Sequence, residues 1–401
     1  MTLCGIFDGH NGPSTSSILS LSLPTAVLQA LDHLFSSSTS LSEHDPSLSP
    51  SEQGQDHESL EHSEHSELGS PPTPTRPSDA SIDRAIKSAF LAVDKSLITD
   101  SLHAALSHPT PRSAHTTRTL APALSGSCAL LSIFEPATRQ LRVALTGDSR
   151  AVLGRRIVDP STGKERYEVH VLSEDQNGYN PKEVERMSAA HPGETVSEKG
   201  RVMGWGMSRA FGDALTKWSL EDQERVRKEC LGDRSYSNIK TPPYFSAEPE
   251  ITTTQVREGD FLVMASDGLW ESLTNAEAVG LVGVWLRENK VSRKRGASTS
   301  NSFMQGSNSG VGEREVVRPG AKPIERDDLP VELEAQDKTV RYRSWRAEKK
   351  FLNVDDNVAV HLARNALGGA DRELTGALLA LTPPRARRFR DDISVSVIFF
   401  D

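Results

Sequence analysis

Four turns in this 401-residue sequence carry acids where chemistry could follow. Asp8 ends the apolar run Leu3-Cys4-Gly5-Ile6-Phe7 and opens Asp8-Gly9-His10-Asn11-Gly12. Asp267 follows Val263-Met264-Ala265-Ser266 and precedes Gly268; Asp391 and Asp392 introduce the closing run that begins at Ile393. Asp148 stands in Thr146-Gly147-Asp148-Ser149-Arg150, read as the tight turn of a hairpin between Leu145 and Ala151. Carboxylates at strand ends converge when the strands share a sheet, and a neighbouring glycine lets the backbone approach whatever they hold. Grouped carboxylates repel one another unless a cation intervenes. Oxygen-only donors without cysteine select hard ions such as Mg²⁺ or Mn²⁺. Two such ions sharing a carboxylate can activate a water for in-line attack on phosphorus. Taken singly, each Asp-Gly reads as a turn and His10 as a turn histidine; spacing alone does not establish convergence.

Other chemistry-bearing residues read as bland. His62 and His65 lie one helical turn apart, but in low-complexity surroundings. Ser125-Gly126-Ser127 lacks the strand-turn-helix setting of a nucleophilic serine and reads as a tight strand entry. Asp213 reads as a structural support for its loop, Arg201 and Arg209 as solvated, and Cys128 as a buried filler.

The elements that must position the acids follow from pattern. Strands are expected at 3–7, 129–134, 141–145, 151–153, 169–172 and 261–265, with strict alternation at 393–399 closing the chain. Helices are expected at 26–35, from Ile82 to Leu97, from Asn180-Pro181 onward with Glu183 three residues after the cap, and over 355–367, closed by Gly368-Gly369. The 107–121 segment reads as a Pro/Thr/Arg loop. Segment 36–78 carries eight acidic residues against a single Arg76, so it reads as a disordered acidic Ser/Pro/His insertion. Segment 291–322, with Lys290, Arg293, Lys294 and Arg295 at its start, reads as a disordered basic one. Strands mixed with helices without βαβ regularity give an α+β class and one domain over 1–401.

Lys and Arg total 46 against 55 Asp and Glu, a net charge of -9, which argues against a general nucleic-acid binder. Three scattered cysteines exclude a disulfide framework or a Cys-rich zinc site. No run approaches the 18 or so apolar residues of a membrane span.

In order, Phe7-Asp8-Gly9-His10-Asn11-Gly12, Ser125-Gly126-Ser127-Cys128-Ala129, Gly147-Asp148-Ser149-Arg150-Ala151, Leu172-Ser173-Glu174-Asp175-Gln176, Met207-Ser208-Arg209-Ala210-Phe211-Gly212-Asp213, Ala265-Ser266-Asp267-Gly268-Leu269-Trp270-Glu271 and Arg390-Asp391-Asp392-Ile393-Ser394-Val395 resemble the protein phosphatase 2C family. That family comprises the metal-dependent serine/threonine phosphatases. The stretches Asn180-Pro181 to Glu194, Lys217-Trp218-Ser219 and Thr241 to Glu250 are similar to its pyruvate dehydrogenase phosphatase branch. The resemblance implies an α-β-β-α sandwich of two antiparallel sheets flanked by helices, with two Mg²⁺ or Mn²⁺ ions and a weaker third. It implies metal ligation by Asp8, the Gly9 carbonyl, Asp267 and Asp391, with Asp148 at the weaker site, and His10 as general acid. Glu271 stands where relatives often carry Asp.

Relatives carry an earlier strand with an acidic pair and a phosphate-gripping arginine, whereas only seven residues precede Asp8. The N-terminal strand is therefore expected to be missing through sequence truncation. The alternative is a catalytically impaired binding protein of the same fold. A metal-dependent nuclease fits the carboxylates but not the motif order. The implied partner is a phosphorylated protein, with the pyruvate dehydrogenase complex the candidate and no nucleic acid or membrane span. The implied location is the mitochondrion, with the cytoplasm as alternative.

Overall fold

The computed structural model describes residues 1–40, 76–236, 239–298 and 322–401. Its strands are β1 (Thr2–Ile6), β2 (Gly9–His10), β3 (Gly126–Ser127), β4 (Ala129–Glu135), β5 (Gln140–Thr146), β6 (Arg150–Val158), β7 (Glu165–Val171), β8 (Ser197–Glu198), β9 (Arg201–Val202), β10 (Phe211–Gly212), β11 (Glu250–Gln255), β12 (Phe261–Ala265) and β13 (Val395–Phe399). One antiparallel sheet runs β1-β4-β5-β11 and a second runs β13-β12-β6-β7.

Alternation along the strands builds the layers. In β5, Leu141, Val143 and Leu145 face β6 and β12 residues Ala151, Leu153, Leu262 and Met264, forming the core between the sheets. In β4, Ala129, Leu131 and Ile133 turn outward and pack with Leu19, Leu23, Val27, Leu31, Ile86 and Phe90 from the Ser14–Ser40 and Asp79–Lys95 helices. In β12, Phe261, Val263 and Ala265 turn the other way, onto the Asn275–Ser298 and Val358–Ala366 helices. Both faces of β12 are buried, which is why its sequence is one continuous apolar run. The expected four layers of helix, sheet, sheet and helix are present.

Several local expectations differ. Segment 147–149 is not a hairpin turn: β5 and β6 belong to different sheets, so the chain crosses the sandwich there. Gly147 makes that crossing with φ +113°, and a Cβ at this position would strike the Cys128 side chain. The 107–121 loop contains the start of a helix, Ala114–Leu124, capped by the Ser113 hydroxyl accepting from the Thr116 N–H. Thr117 and Thr119 donate back to the carbonyls of Ser113 and His115, so hydroxyls that usually favour turns are absorbed within the helix. The first helix runs Ser14–Ser40 rather than 26–35. Ser20, Ser22 and Thr25 donate to helix carbonyls in the same manner, masking its earlier start.

That helix is also long and apolar enough to cross a membrane, with mean hydropathy 1.3, against the expectation from sequence. Its apolar stripe of Leu19, Leu23, Val27 and Leu31 packs into the domain core, while Ile18, Leu21 and Leu28 on the other face are exposed.

Both ends of the segment expected to be a disordered acidic insertion are ordered. Residues 36–40 are helical, Arg76 pairs with Glu135 at 2.8 Å, and Ser78 caps the next helix; 41–75 lie outside the described residues. The basic segment likewise starts as helix through Ser298, and 299–321 lie outside the described residues.

Candidate active site

Topology alone gathers the acids. Strands β1 and β5 are both antiparallel to β4, so they end at the same edge of the first sheet. At the end of β12, Ala265 faces Val395 of β13 and Arg150 of β6. The 147–149 crossover joins the end of β5 to the start of β6. Asp8, Asp148, Asp267 and Asp391 therefore emerge at one end of the sandwich.

There they line a single cleft of about 880 Å³ together with Gly9, His10, Glu271, Asp392 and the arginines Arg201 and Arg387. Burial raises the Asp8 pKa to about 6, helped by the charges of Asp148 and Asp391, while a hydrogen bond with Asp267 works the other way. Burial raises Asp267 to about 9, with Asp148, Asp8, Asp391 and Glu271 adding to the effect. Asp148 is also raised, chiefly by burial, and one of its oxygens accepts from the Cys128 thiol at 3.2 Å. Cys128 is the buried residue expected, with the added role of backing Asp148. No three His, Cys, Asp or Glu side chains among the described residues stand in ready-made coordination geometry. The donor set nevertheless fits a hard divalent cation: it is all oxygen, and burial, with the negative charges of Asp148 and Asp391 adding to it, makes the ionised forms of Asp8 and Asp267 costly unless a cation is present. Glu271 is already held by Arg341, whose Nε donates at 2.7 Å.

His10 is positioned by a three-stranded ladder, β10-β3-β2. Gly126 of β3 pairs with His10 on one side and Gly212 on the other. This register carries Asp213, in a left-handed backbone conformation with φ +48°, to the His10 ring. His10 Nε2 lies 2.6 Å from Asp213 Oδ2, and the aspartate side chain is only 2% exposed. A Cβ at Gly126 would collide with both the imidazole and the carboxylate. Burial alone lowers the His10 pKa, but the bond and charge of Asp213, with Asp148 and Asp8 behind it, leave it raised. Asp213 is thus more than the loop support expected from sequence. Ser125 is structural, as expected: its hydroxyl bonds to Thr15 Oγ1 at 2.7 Å.

Trp205 flanks the histidine with a ring-centroid distance of 5.8 Å. It belongs to a lobe with its own core of Met187, Val196, Val202, Ala210, Tyr244 and Phe245. Asn180 caps the Pro181–Ala190 helix as its sequence suggests. Glu183, however, does not close a capping box. Its carboxylate takes Arg209 Nη2 at 2.6 Å, Ser208 Oγ at 2.5 Å and Arg186 Nη2 at 2.8 Å. Burial would raise Glu183, yet these donors bring its pKa down to about 2. Arg209 is therefore buried and paired rather than solvated. Arg201 is exposed at the cleft rim, donating to the Gly204 carbonyl at 3.2 Å. His62 and His65 lie outside the described residues.

Sequence reasoning did not find Trp205 or Arg387. A lone tryptophan in a Gly-rich stretch and one arginine in a basic run carry no spacing signal.

A family model described as "Protein phosphatase 2C" matches residues 56–302. The chain is similar to a protein phosphatase 2C homolog of Schizosaccharomyces pombe, 37% identical over 99% of this chain and 73% of that protein. It is also similar to the mitochondrial [pyruvate dehydrogenase [acetyl-transferring]]-phosphatase 1 of Saccharomyces cerevisiae, 34% identical over 99% of this chain and 61% of the relative. The Bos taurus protein of the same name is 31% identical over 80% of this chain and 55% of its own length. The chain thus spans between about half and three quarters of the length of these relatives. With the motif order, the sandwich and the acid-lined cleft in agreement, the chain belongs to the protein phosphatase 2C family of metal-dependent serine/threonine phosphatases.

Proposed function

We propose that this domain hydrolyses phosphoserine and phosphothreonine in proteins, using Mg²⁺ or Mn²⁺, and that its substrate lies in the pyruvate dehydrogenase complex. The observation that carries the reading is the His10–Asp213 pair opening onto the same cleft as Asp8, Asp148, Asp267 and Asp391. Asp8, the Gly9 carbonyl, Asp267 and Asp391 would hold two ions, with Asp148 at a weaker third position. Bound there, the ions would supply the positive charge that draws in the phosphate and acidifies the attacking water. Asp213 occupies Nε2 of His10, so the proton given to the departing serine or threonine oxygen is the one on Nδ1. The bond and charge of Asp213 outweigh burial and favour the protonated form of that imidazole. Trp205 and the lobe that carries it screen the histidine from solvent on one side.

The choice of substrate rests on the pyruvate dehydrogenase phosphatases among the relatives, and so does a mitochondrial location. The test is phosphate release from phosphorylated pyruvate dehydrogenase, with and without Mn²⁺, for the wild type and Asp267→Asn. Metal-dependent turnover abolished by the substitution is expected. Phosphopeptide binding without any turnover would favour the non-catalytic binding protein. Cell fractionation with a matrix marker tests the location.

A further inference from the structure

The cleft presents a charge problem that its acids cannot solve. Asp8, Asp148, Asp267, Glu271, Asp391 and Asp392 all line it, and its substrate group is itself a dianion near neutral pH. Apart from His10, the cationic residues lining it among the described residues are Arg201 and Arg387. Arg201 sits on the outer lobe and donates within its own turn. Arg387 stands among the acids, paired with Asp391.

Arg387 comes from the run Arg385-Ala386-Arg387-Arg388-Phe389-Arg390, whose members are sorted by the fold. Arg385 lies over the Phe389 ring at 5.9 Å, and Arg390 donates to the Leu378 carbonyl at 3.0 Å. Arg387 is the member of the run that lines the cleft. Its backbone is held in a single 3-10 turn, Ala386–Arg388, anchored by buried Ala386 and by Trp345 Nε1 donating to the Phe389 carbonyl at 2.9 Å. Its side chain is 70% exposed. Nη1 donates to Asp391 Oδ1 at 2.5 Å, the same oxygen that accepts the Asp392 N–H. No other hydrogen bond of this guanidinium is found among the described residues. One donor of five is therefore committed, which leaves the others of this exposed, cleft-lining guanidinium for a ligand. A fixed base, a tethered tip and free paired donors are what bidentate recognition of a phosphate requires.

We propose that Arg387 grips the substrate phosphate, with Asp391 holding the guanidinium in place. The inference rests on the phosphatase reading above but is tested through binding. Inorganic phosphate is titrated calorimetrically into the Mn²⁺-loaded protein, and Mn²⁺ affinity is measured separately by electron paramagnetic resonance. Arg387→Ala is expected to weaken phosphate binding by about 10- to 100-fold while leaving Mn²⁺ affinity within about twofold. Arg387→Lys should recover only part of the loss, because a point ammonium cannot reproduce the fork. Phosphate affinity unchanged in Arg387→Ala would overturn the proposal. A change confined to Mn²⁺ affinity would overturn it too, leaving Arg387 only a counter-ion of Asp391. If the wild type binds phosphate through Arg387 yet turns over no phosphoprotein, the functional reading fails and this one stands.

Discussion

His10 Nε2 and Asp213 Oδ2, 203 residues apart in the chain, meet at 2.6 Å across the backbone of Gly126. The contact fixes the ring and raises its affinity for a proton. If His10 protonates the leaving oxygen, Asp213→Asn should lower kcat on a phosphoserine peptide about 100-fold. On p-nitrophenyl phosphate, whose leaving group departs without a proton, the loss should stay within about threefold. Removing the carboxylate charge lowers the histidine pKa, so the limb on which activity falls with rising pH should move to lower pH. Steady-state kinetics across pH on both substrates check this. Equal losses on the two, or an unmoved limb, would reduce Asp213 to a scaffold.

Gly126 gives a second test of the same geometry without replacing an ionisable residue. Its backbone lies between β2 and β10, and an added methyl group must push the imidazole and the carboxylate aside. Gly126→Ala should keep its circular dichroism spectrum and cost about 100-fold in kcat on a phosphopeptide, the scale of an ångström-level misplacement. Wild-type activity in this variant would show that the close approach is not needed.

The layers and the acids of this site were legible because each has a strong local signature. Alternation marks β5 and β13, the continuous run marks β12, and Asp-Gly at strand ends marks the cleft. What escaped was information held between segments. Leu145 and Ala151 look like the arms of a hairpin because nothing local distinguishes a turn within a sheet from a crossing between sheets. Asp213 looks like loop support because its partner is 203 residues upstream. Arg209 looks exposed until Glu183 is placed beside it. The Ala114–Leu124 helix was hidden because threonine hydroxyls favour turns unless a neighbouring helical carbonyl accepts them.

The raised carboxyl pKa values predict how acidity and metal act together on stability. Asp8 and Asp267 titrate at about 6 and about 9 in the metal-free fold, above their ordinary 3.8. Between those limits the folded state binds more protons than the unfolded chain, so stability falls as pH rises from about 4 toward 9. A divalent cation offsets both the cost of burying these carboxylates as anions and the repulsion between them. Melting curves in EDTA should therefore drop with pH across this range, and the gain in Tm from Mn²⁺ should be larger at pH 8 than at pH 6. A pH-independent gain would contradict the carboxylate cluster as the binding site, as would an undiminished gain in Asp267→Asn.

The Glu183–Arg209 pair makes the opposite prediction, because here the folded pKa lies below the ordinary value. Glu183, normally near 4.5, is held at about 2 by Arg209, Arg186 and Ser208. Its contribution is fully present above about pH 4.5 and is lost as pH falls toward 2. Glu183→Gln keeps the volume but leaves Arg209, whose side chain is 8% exposed, without its main counter-charge. Breaking a buried pair this way costs about 3–5 kcal/mol. The loss should be concentrated in the lobe carrying Trp205, since Arg209 also donates to the Glu248 carbonyl at 2.8 Å and so ties that lobe to the approach to β11. Hydrogen exchange at pH 7 should show faster opening across 180–210 in Glu183→Gln, with β4 and β12 unchanged. The difference from wild type should narrow as pH is lowered from 4.5. Uniform destabilisation of both sheets, or no difference at pH 7, would mean that the pair does not anchor the lobe.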